Sequence, residues 1–367
     1  MVTRDQYCFY ATFDVSSLCS YIPVGVAVLL PASSWARKCL RKPALPAYVT
    51  QRAADSGGFV ASRLWGDYRY SLHEYVDWLA TWRPQWAATM DYCCEPELEQ
   101  VTRERQDRTT ANAWQAWCDY RHVPWLWVPT LQGWYPSDYQ RHALELLPLL
   151  REMKAFYGNH PLWRVGIGTL CRRATVETIQ AVLEAVIEVL PDIPLHLWGV
   201  KLASLKSIDV RHVISSDSAA WHGLFRAGRK QVEREALASH MSKRAYTVRV
   251  QLPAYIAKVE QAIDESWARW GTDTDTTSLK EALQERGWTL HVRTRGCRQY
   301  AYAARRVKTT VEERYLGSLS DLLAMPAEQR IVQLGTLPAW SLPNNRSPTL
   351  PNQLPLLWQQ EEPVACL

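Results

Sequence analysis

A parallel (β/α)8 barrel is the fold class this sequence predicts, and three observations predict it. Short buried runs alternate with amphipathic helical stretches through roughly the first 230 residues, the pattern of successive βα units. One run after another is closed by Asp55, Asp91, Gln132, Gly168 and Asp217, and a barrel would gather all of these at the one mouth where active sites of this fold are built. No GxGxxG opens any helix, which counts against the runner-up, an open doubly wound sheet.

The elements follow in order. Pro23 to Pro31 is a β-branched apolar run closed by proline at both ends, as expected of a buried strand. Tyr48-Val49-Thr50 reads as the next, followed by Ala54-Asp55-Ser56-Gly57-Gly58-Phe59. A carboxylate followed by Ser and two Gly lets a flat ligand approach bare backbone, yet the same residues also make ordinary turns, and the hexapeptide by itself favours the turn until its partner motifs are counted. Leu72 to Trp82 has helical spacing and is stopped by Pro84; Trp86 to Asp91 is a short apolar run. The rhythm then repeats: helix 97–122 into strand 123–131, helix 139–157 into strand 163–168, helix 176–190 into strand 195–200, and a short helix 202–207 into strand 210–216.

Beyond about residue 230 the pattern changes. Two helices are expected over 231–241 and 253–270, a third over 279–286, and then period-two strands at 288–296, 299–308 and 311–316. The expected organisation is a barrel domain over 1–230, a helical extension over 231–286, a small basic β module over 287–335 and a Pro-rich tail over 336–367. Arg293, Arg295, Arg298, Arg305, Arg306, Lys308 and Arg314, interleaved with Tyr300, Tyr302 and Tyr315, suit phosphate tracking and base stacking; a solvated sheet face fits the same pattern.

Composition sets bounds. A chain of 367 residues with 47% hydrophobic content can bury a large core, and its 18 Trp are expected to lie mostly inside it. The net charge of +5 permits a nucleic-acid partner without demanding one. Nine cysteines without a CxxC pair argue against a disulfide framework and a zinc ribbon, so a reducing cytoplasm is the expected location. Val24 to Leu30 is too short to cross a bilayer, and no membrane partner is expected. No metal-ligand spacing is present in the sequence, and no cofactor is expected.

Carboxylates, an amide and glycines around one mouth favour covalent or acid/base chemistry at a carbon centre. One carboxylate can attack an anomeric carbon while another moves a proton. A further carboxylate with a Gln can read a purine edge, since Asp accepts from N–H groups and a Gln N–H donates to a carbonyl.

These residues also carry a family resemblance. Asp55-Ser56-Gly57-Gly58-Phe59 is similar to the signature of tRNA-guanine transglycosylases, in which that Asp is the general acid/base. Met90-Asp91-Tyr92-Cys93-Cys94 resembles the family's base-reading Asp-Glu-Cys element, with Tyr92 in place of Glu, and Leu131-Gln132-Gly133 resembles its Gln-Gly-Gly element, with Trp134 in place of the last Gly. Gly166-Ile167-Gly168 falls where the family has its base-contacting Gly-Gly turn, His196-Leu197-Trp198-Gly199-Val200 resembles its Leu-Met-Gly-Val strand, and Ser216-Asp217-Ser218 stands where the nucleophilic Asp is expected.

The departures narrow the resemblance. The zinc-binding CxCxxC of the tRNA enzymes is missing, and Leu170-Cys171-Arg172-Arg173 replaces their Gly-Glu. The combination resembles the DpdA-like branch, which exchanges guanine in DNA for 7-cyano-7-deazaguanine or a relative. The resemblance implies Asp55 and Asp217 as catalytic residues. It implies Ser56, Gly57, Phe59, Asp91, Cys93, Gln132, Gly133, Gly166 and Gly168 around the base, with Phe59 or Trp134 stacking on it. Arg172, Arg173 and the arginines of the β module are expected to grip a DNA duplex whose target base is flipped out. Free 7-deazaguanine is then the second substrate, and accessory modification proteins are allowed as partners. The competing functions are base exchange in tRNA and a non-catalytic nucleic-acid-binding barrel, although retention of both Asp55 and Asp217 speaks against decay. His196 is expected to be a hydrogen-bonded barrel residue rather than a ligand, and His222 is ambiguous.

Overall fold

A computed structural model describes residues 2–14, 16–36, 42–95, 102–171, 173, 175–222, 229–270, 283–284, 286–295, 298–307, 310–318 and 322. The chain divides into two compact units, Met1–Thr274 and Asp275–Leu367.

The first unit is a closed parallel barrel. Its strand segments are β1 (Cys8–Thr12), β2 (Ala27–Pro31), β3 (Arg52–Asp55), β4 (Trp86–Ala88), β5 (Leu126–Val128), β6 (Thr130–Leu131), β7 (Val165–Ile167), β8 (Leu195–Leu197) and β9 (Val213–Ser218). They pair in the order β5-β4-β3-β2-β1-β9-β8-β7-β6, with every pair parallel. Segments β5 and β6 are halves of one run interrupted at Pro129, so the nine segments make eight strands. The Val128 carbonyl accepts from Thr89 N at 3.1 Å on one side, and the Pro129 carbonyl accepts from Gly166 N at 2.8 Å on the other, which shuts the ring. Proline lacks the N–H a ladder would use, and here the pairing changes partner at that residue.

Around the ring run α1 (Gly58–Val60), α2 (Leu72–Trp82), α3 (Thr102–Tyr120), α4 (Pro136–Tyr157), α5 (Val176–Val189) and α6 (Leu202–Leu205). Helix α2 begins at a reciprocal Ser71/Glu74 capping box, which satisfies two end amides, and buries Leu72, Tyr75, Val76, Trp78, Leu79 and Trp82 on one face. Helices α7 (Arg229–Ala238), α8 (Lys243–Tyr246) and α9 (Leu252–Trp270) belong to the same unit; α9 packs on β1 and α6. Tryptophan supplies much of the barrel core, with Trp78, Trp82, Trp86, Trp117, Trp125, Trp127, Trp163 and Trp221 all buried.

Several strands differ from the sequence reading. Strand β1 was not anticipated, since Cys8 to Thr12 is short and polar at both ends; β9 and β2 flank it and bury it. The strand ending at Asp55 is Arg52–Asp55 rather than 48–50, because Tyr48-Val49 lies in a turn. The run from Pro23 opens as a turn at Gly25, φ +84°, with Val24 79% exposed, so that only Ala27–Pro31 is strand. Asp217 lies inside β9 and Asp55 is the last residue of β3; neither follows its strand.

The second unit contains an antiparallel sheet of β10 (Thr289–Arg295), β11 (Arg298–Val307) and β12 (Thr310–Ser318). Its own small core is Leu283, Trp288, Ala301, Ala303, Leu316 and Leu322. The expected helix over 279–286 falls largely outside the described residues, and the tail from 336 wholly so.

Candidate active site

Strands β1, β3 and β9 carry the two carboxylates and their first partners to the barrel mouth. Asp217 is 6% exposed and takes hydrogen bonds on both oxygens: Thr12 Oγ1 donates to Oδ2 at 2.7 Å, and Gly199 N donates to Oδ1 at 2.8 Å. His196 Nε2 lies 3.4 Å from Oδ1. Donors aimed at both oxygens suit a side chain that must carry negative charge.

Asp55 has the opposite surroundings. Its Oδ1 accepts from Gly57 N at 3.0 Å, a bond made possible by the left-handed backbone of Gly57, φ +82°. A side chain at residue 57 would strike Ser33. Burial pushes the Asp55 carboxyl up to about 8, helped by the negative charges of Asp91 and Asp217 and only partly opposed by Gly57 N–H. Asp55 therefore carries a proton at neutral pH, and Asp217 is near enough for its charge to bear on it.

A second cluster forms beside the pair. Ser56 Oγ donates to Asp91 Oδ1 at 2.7 Å, the Gln132 side-chain amide donates to Asp91 Oδ2, and Thr169 Oγ1 donates to Gln132 Oε1 at 2.5 Å. Burial raises the Asp91 carboxyl above the usual range, against the Ser56 and Gln132 donors. Tyr68 accepts from Asp91 N at 3.0 Å and donates to Asp91 O at 2.9 Å. Gln132 is braced in turn: its N–H donates to His142 Nδ1 at 2.9 Å, and Gln106 Nε2 donates to its carbonyl at 2.6 Å. Burial lowers His142 to about 4, which keeps that ring neutral and able to accept.

The glycines make room for these side chains. A β-carbon at Gly168 would enter the space of the Gln132 amide, one at Gly58 would strike the carbonyl and carboxyl of Asp91, and one at Gly166 would strike Trp198 Nε1. Gly133 is closed in by Asp138 and Tyr139. Thr169 has φ +53°, a strained conformation for a β-branched residue, and its hydroxyl both donates to Gln132 and accepts from Cys94 N at 3.1 Å.

Of the other expected residues, Phe59 stands at the mouth, 41% exposed, on the turn after Asp55. Cys93 is buried, its thiol pushed well up by burial, and its carbonyl accepts from Arg105, so it offers no thiolate. Trp134 is half-buried with the Arg173 guanidinium 5.0 Å from its ring centre. Arg173 is itself 6% exposed and donates to Trp134 O at 2.7 Å, which makes it a brace within the mouth. Arg305 is held in its own sheet by Glu312 at 2.8 Å and by the Trp288 ring, 4.3 Å away. Arg172 and the side chains of Arg293, Arg295, Arg298 and Arg306 lie outside the described residues. His222 is buried, with Nε2 3.1 Å from Asp14 Oδ1.

Thr12, Thr169, His142, Gln106 and the Gly199 amide escaped the sequence reading. Thr12 was lost with strand β1; the others act through backbone direction or burial, which residue type alone does not signal.

The profile of the family described as DpdA, DeoxyPurine in DNA protein A, matches residues 9–290, more than half of the chain. The chain belongs to the DpdA family. Its resemblance to the DpdA-like branch thus holds, and membership ties it at family level to deazapurine modification of DNA, with DNA as substrate. No curated protein matches it. Among the described residues, no helix is long and apolar enough to cross a membrane, and no group of three or more His, Cys, Asp or Glu is arranged to hold a metal.

Proposed function

We propose that this DpdA-family chain exchanges guanine in DNA for a 7-deazaguanine, such as 7-cyano-7-deazaguanine, through a covalent ester on Asp217. The observation that carries the reading is the contrast between its two mouth carboxylates. Asp55 is held protonated, whereas Asp217 is supplied with donors on both oxygens. Environments that divide two acids in this way assign their roles.

In the first half-reaction Asp217 attacks C1′ of a flipped deoxyguanosine. The C1′–N9 bond breaks and the Asp55 proton passes to the departing guanine. In the second, the Asp55 carboxylate takes the N9 proton of the incoming base, N9 attacks C1′, and the ester bond breaks to return Asp217 as a carboxylate. The Asp91–Gln132 pair retains acceptor and donor capacity for a purine edge, since each carboxylate oxygen can accept twice and Gln132 has a second N–H. Ser56, Gly57, Cys93, Gly133, Gly166 and Gly168 shape the walls around that edge, and exposed Phe59 supplies a stacking face. Flipping the base costs a few kcal/mol, offset by gripping the strand on both sides. Arg172, Arg293, Arg295, Arg298 and Arg306 are the candidates for that grip, while Arg173 and Arg305 act within their own units.

The test uses purified protein, labelled 7-cyano-7-deazaguanine and either duplex DNA or tRNA. The expected result is incorporation into DNA alone, abolished in Asp217→Asn with no DNA–protein ester trapped on denaturation. Undiminished incorporation by that variant removes Asp217 as nucleophile, and incorporation into tRNA alone moves the substrate.

A further inference from the structure

A line of buried polar groups runs along the barrel interior behind Asp217, and the reaction as written above makes no use of it. Arg164, which precedes β7, is 1% exposed. Its guanidinium donates to Ser215 Oγ at 2.5 Å and to Leu162 O at 2.8 Å, and lies 5.1 Å from the Trp86 ring centre. No carboxylate among the described residues contacts it; the titratable groups beside it are Tyr10 and Cys8. Ser215 Oγ is 2.7 Å from His196 Nδ1, and His196 Nε2 is 3.4 Å from Asp217 Oδ1. Both Ser215 and His196 are fully buried.

The chemistry of the line fixes where the protons sit. A guanidinium can only donate, so one lone pair of Ser215 Oγ is taken and its O–H points most favourably at His196 Nδ1. Burial disfavours the imidazolium more than the neighbouring Asp217 favours it, with the Arg164 charge adding to the effect of burial, and the neutral ring then carries its single hydrogen on Nε2, facing Asp217. The other groups around the ring are Trp86, Trp198 and Tyr10, which pack edge-on against it and offer no competing charge.

We infer that His196 is a positioning residue for Asp217: the chain Arg164–Ser215–His196 locks the imidazole as its Nε2–H tautomer and holds an N–H against the carboxylate that forms and releases the sugar ester. The contact at 3.4 Å is long and Nε2 has no hydrogen-bond partner, which leaves its N–H for the charge that returns to Asp217 when the incoming base displaces it. The inference rests on the nucleophile assignment above.

Two measurements separate the inference from that assignment. Nitrogen NMR of histidine-labelled protein reads the His196 tautomer without any catalysis: Nδ1 bare and Nε2 protonated in the wild type, with a changed tautomer balance in Ser215→Ala. Kinetics with labelled base should show kcat reduced about ten- to a hundredfold in Ser215→Ala, as for losing one hydrogen bond to a charged group, with KM for DNA unchanged. His196→Gln, which keeps an N–H donor, should retain more activity than His196→Phe. A wild-type ring carrying its proton on Nδ1 overturns the inference, as does a changed tautomer with kcat unaltered while Asp217→Asn is inactive. An Asp217→Asn protein that still exchanges base overturns the nucleophile assignment, and the positioning role falls with it.

Discussion

At the scale of single residues, Asp55 makes the sharpest prediction. Its carboxyl is raised from 3.8 to about 8, so release of guanine, which needs the proton, should slow as pH rises through about 8. Asp55→Asn should abolish this alkaline limb together with most of the activity, measured as single-turnover guanine release against pH. The stability consequence has a definite sign. A carboxyl whose folded pKa lies above its unfolded one costs nothing below about 4, where both states are protonated, and its cost grows as pH climbs toward about 8. Urea midpoints for Asp55→Asn and wild type should therefore agree near pH 4 and diverge in favour of the variant near pH 8. Gly168→Ala tests the packing of the mouth: the added methyl must displace the Gln132 amide, at a cost of about 1–3 kcal/mol in stability. Base exchange should fall on the order of a hundredfold, as expected for a misplaced binding group.

At the scale of elements, the site depends on what helices α3 and α4 send inward. Gln106 of α3 donates to the carbonyls of Gln132 and Asp138 at 2.6 and 2.9 Å and accepts from Arg141 at 2.7 Å. Gln106→Ala leaves buried carbonyls short of a partner and should lower unfolding free energy by about 1–3 kcal/mol, read from denaturant titration. Helices were the legible part of the sequence: 3.6-residue periodicity placed α2, α5 and α9 within a residue or two. Strands were less so. A barrel strand of three to six residues carries too little pattern of its own, so β1, with Cys, Phe, Tyr, Ala and Thr, gave no signal, and it contributes Thr12 to Asp217.

At the scale of the whole molecule, the closed barrel was readable because alternation over many units adds up even where single strands are ambiguous. The motif residues Asp55, Asp91, Gln132 and Asp217 were readable by type and order, and their mutual bonding was not: nothing in the sequence says that Gln132 and Asp91 bind each other, or that Arg173 turns inward. The antiparallel sheet was also legible from its period-two strands, and its expected role as a DNA grip is a matter for measurement rather than pattern. Replacing Arg293, Arg295, Arg298 and Arg306 by Gln in the full chain should weaken binding to any duplex about equally. The slope of log K against log salt should shrink by about 0.9 for every arginine that had met a phosphate. An unchanged slope would assign those residues to something other than the DNA backbone.

The paired fit of Gly168 with Gln132, and of Gly166 with Trp198, has a consequence for how such a mouth can diversify. The two members of each pair share one volume, so neither position is free to vary alone. A relative that carries a side chain at the place of Gly168 must shorten the residue opposite, and in doing so gives up the amide offered to the base. Altered base preference in this family should accordingly arise through double replacements across neighbouring strands, and libraries that randomise positions 132 and 168 together should yield active variants that single-site libraries miss.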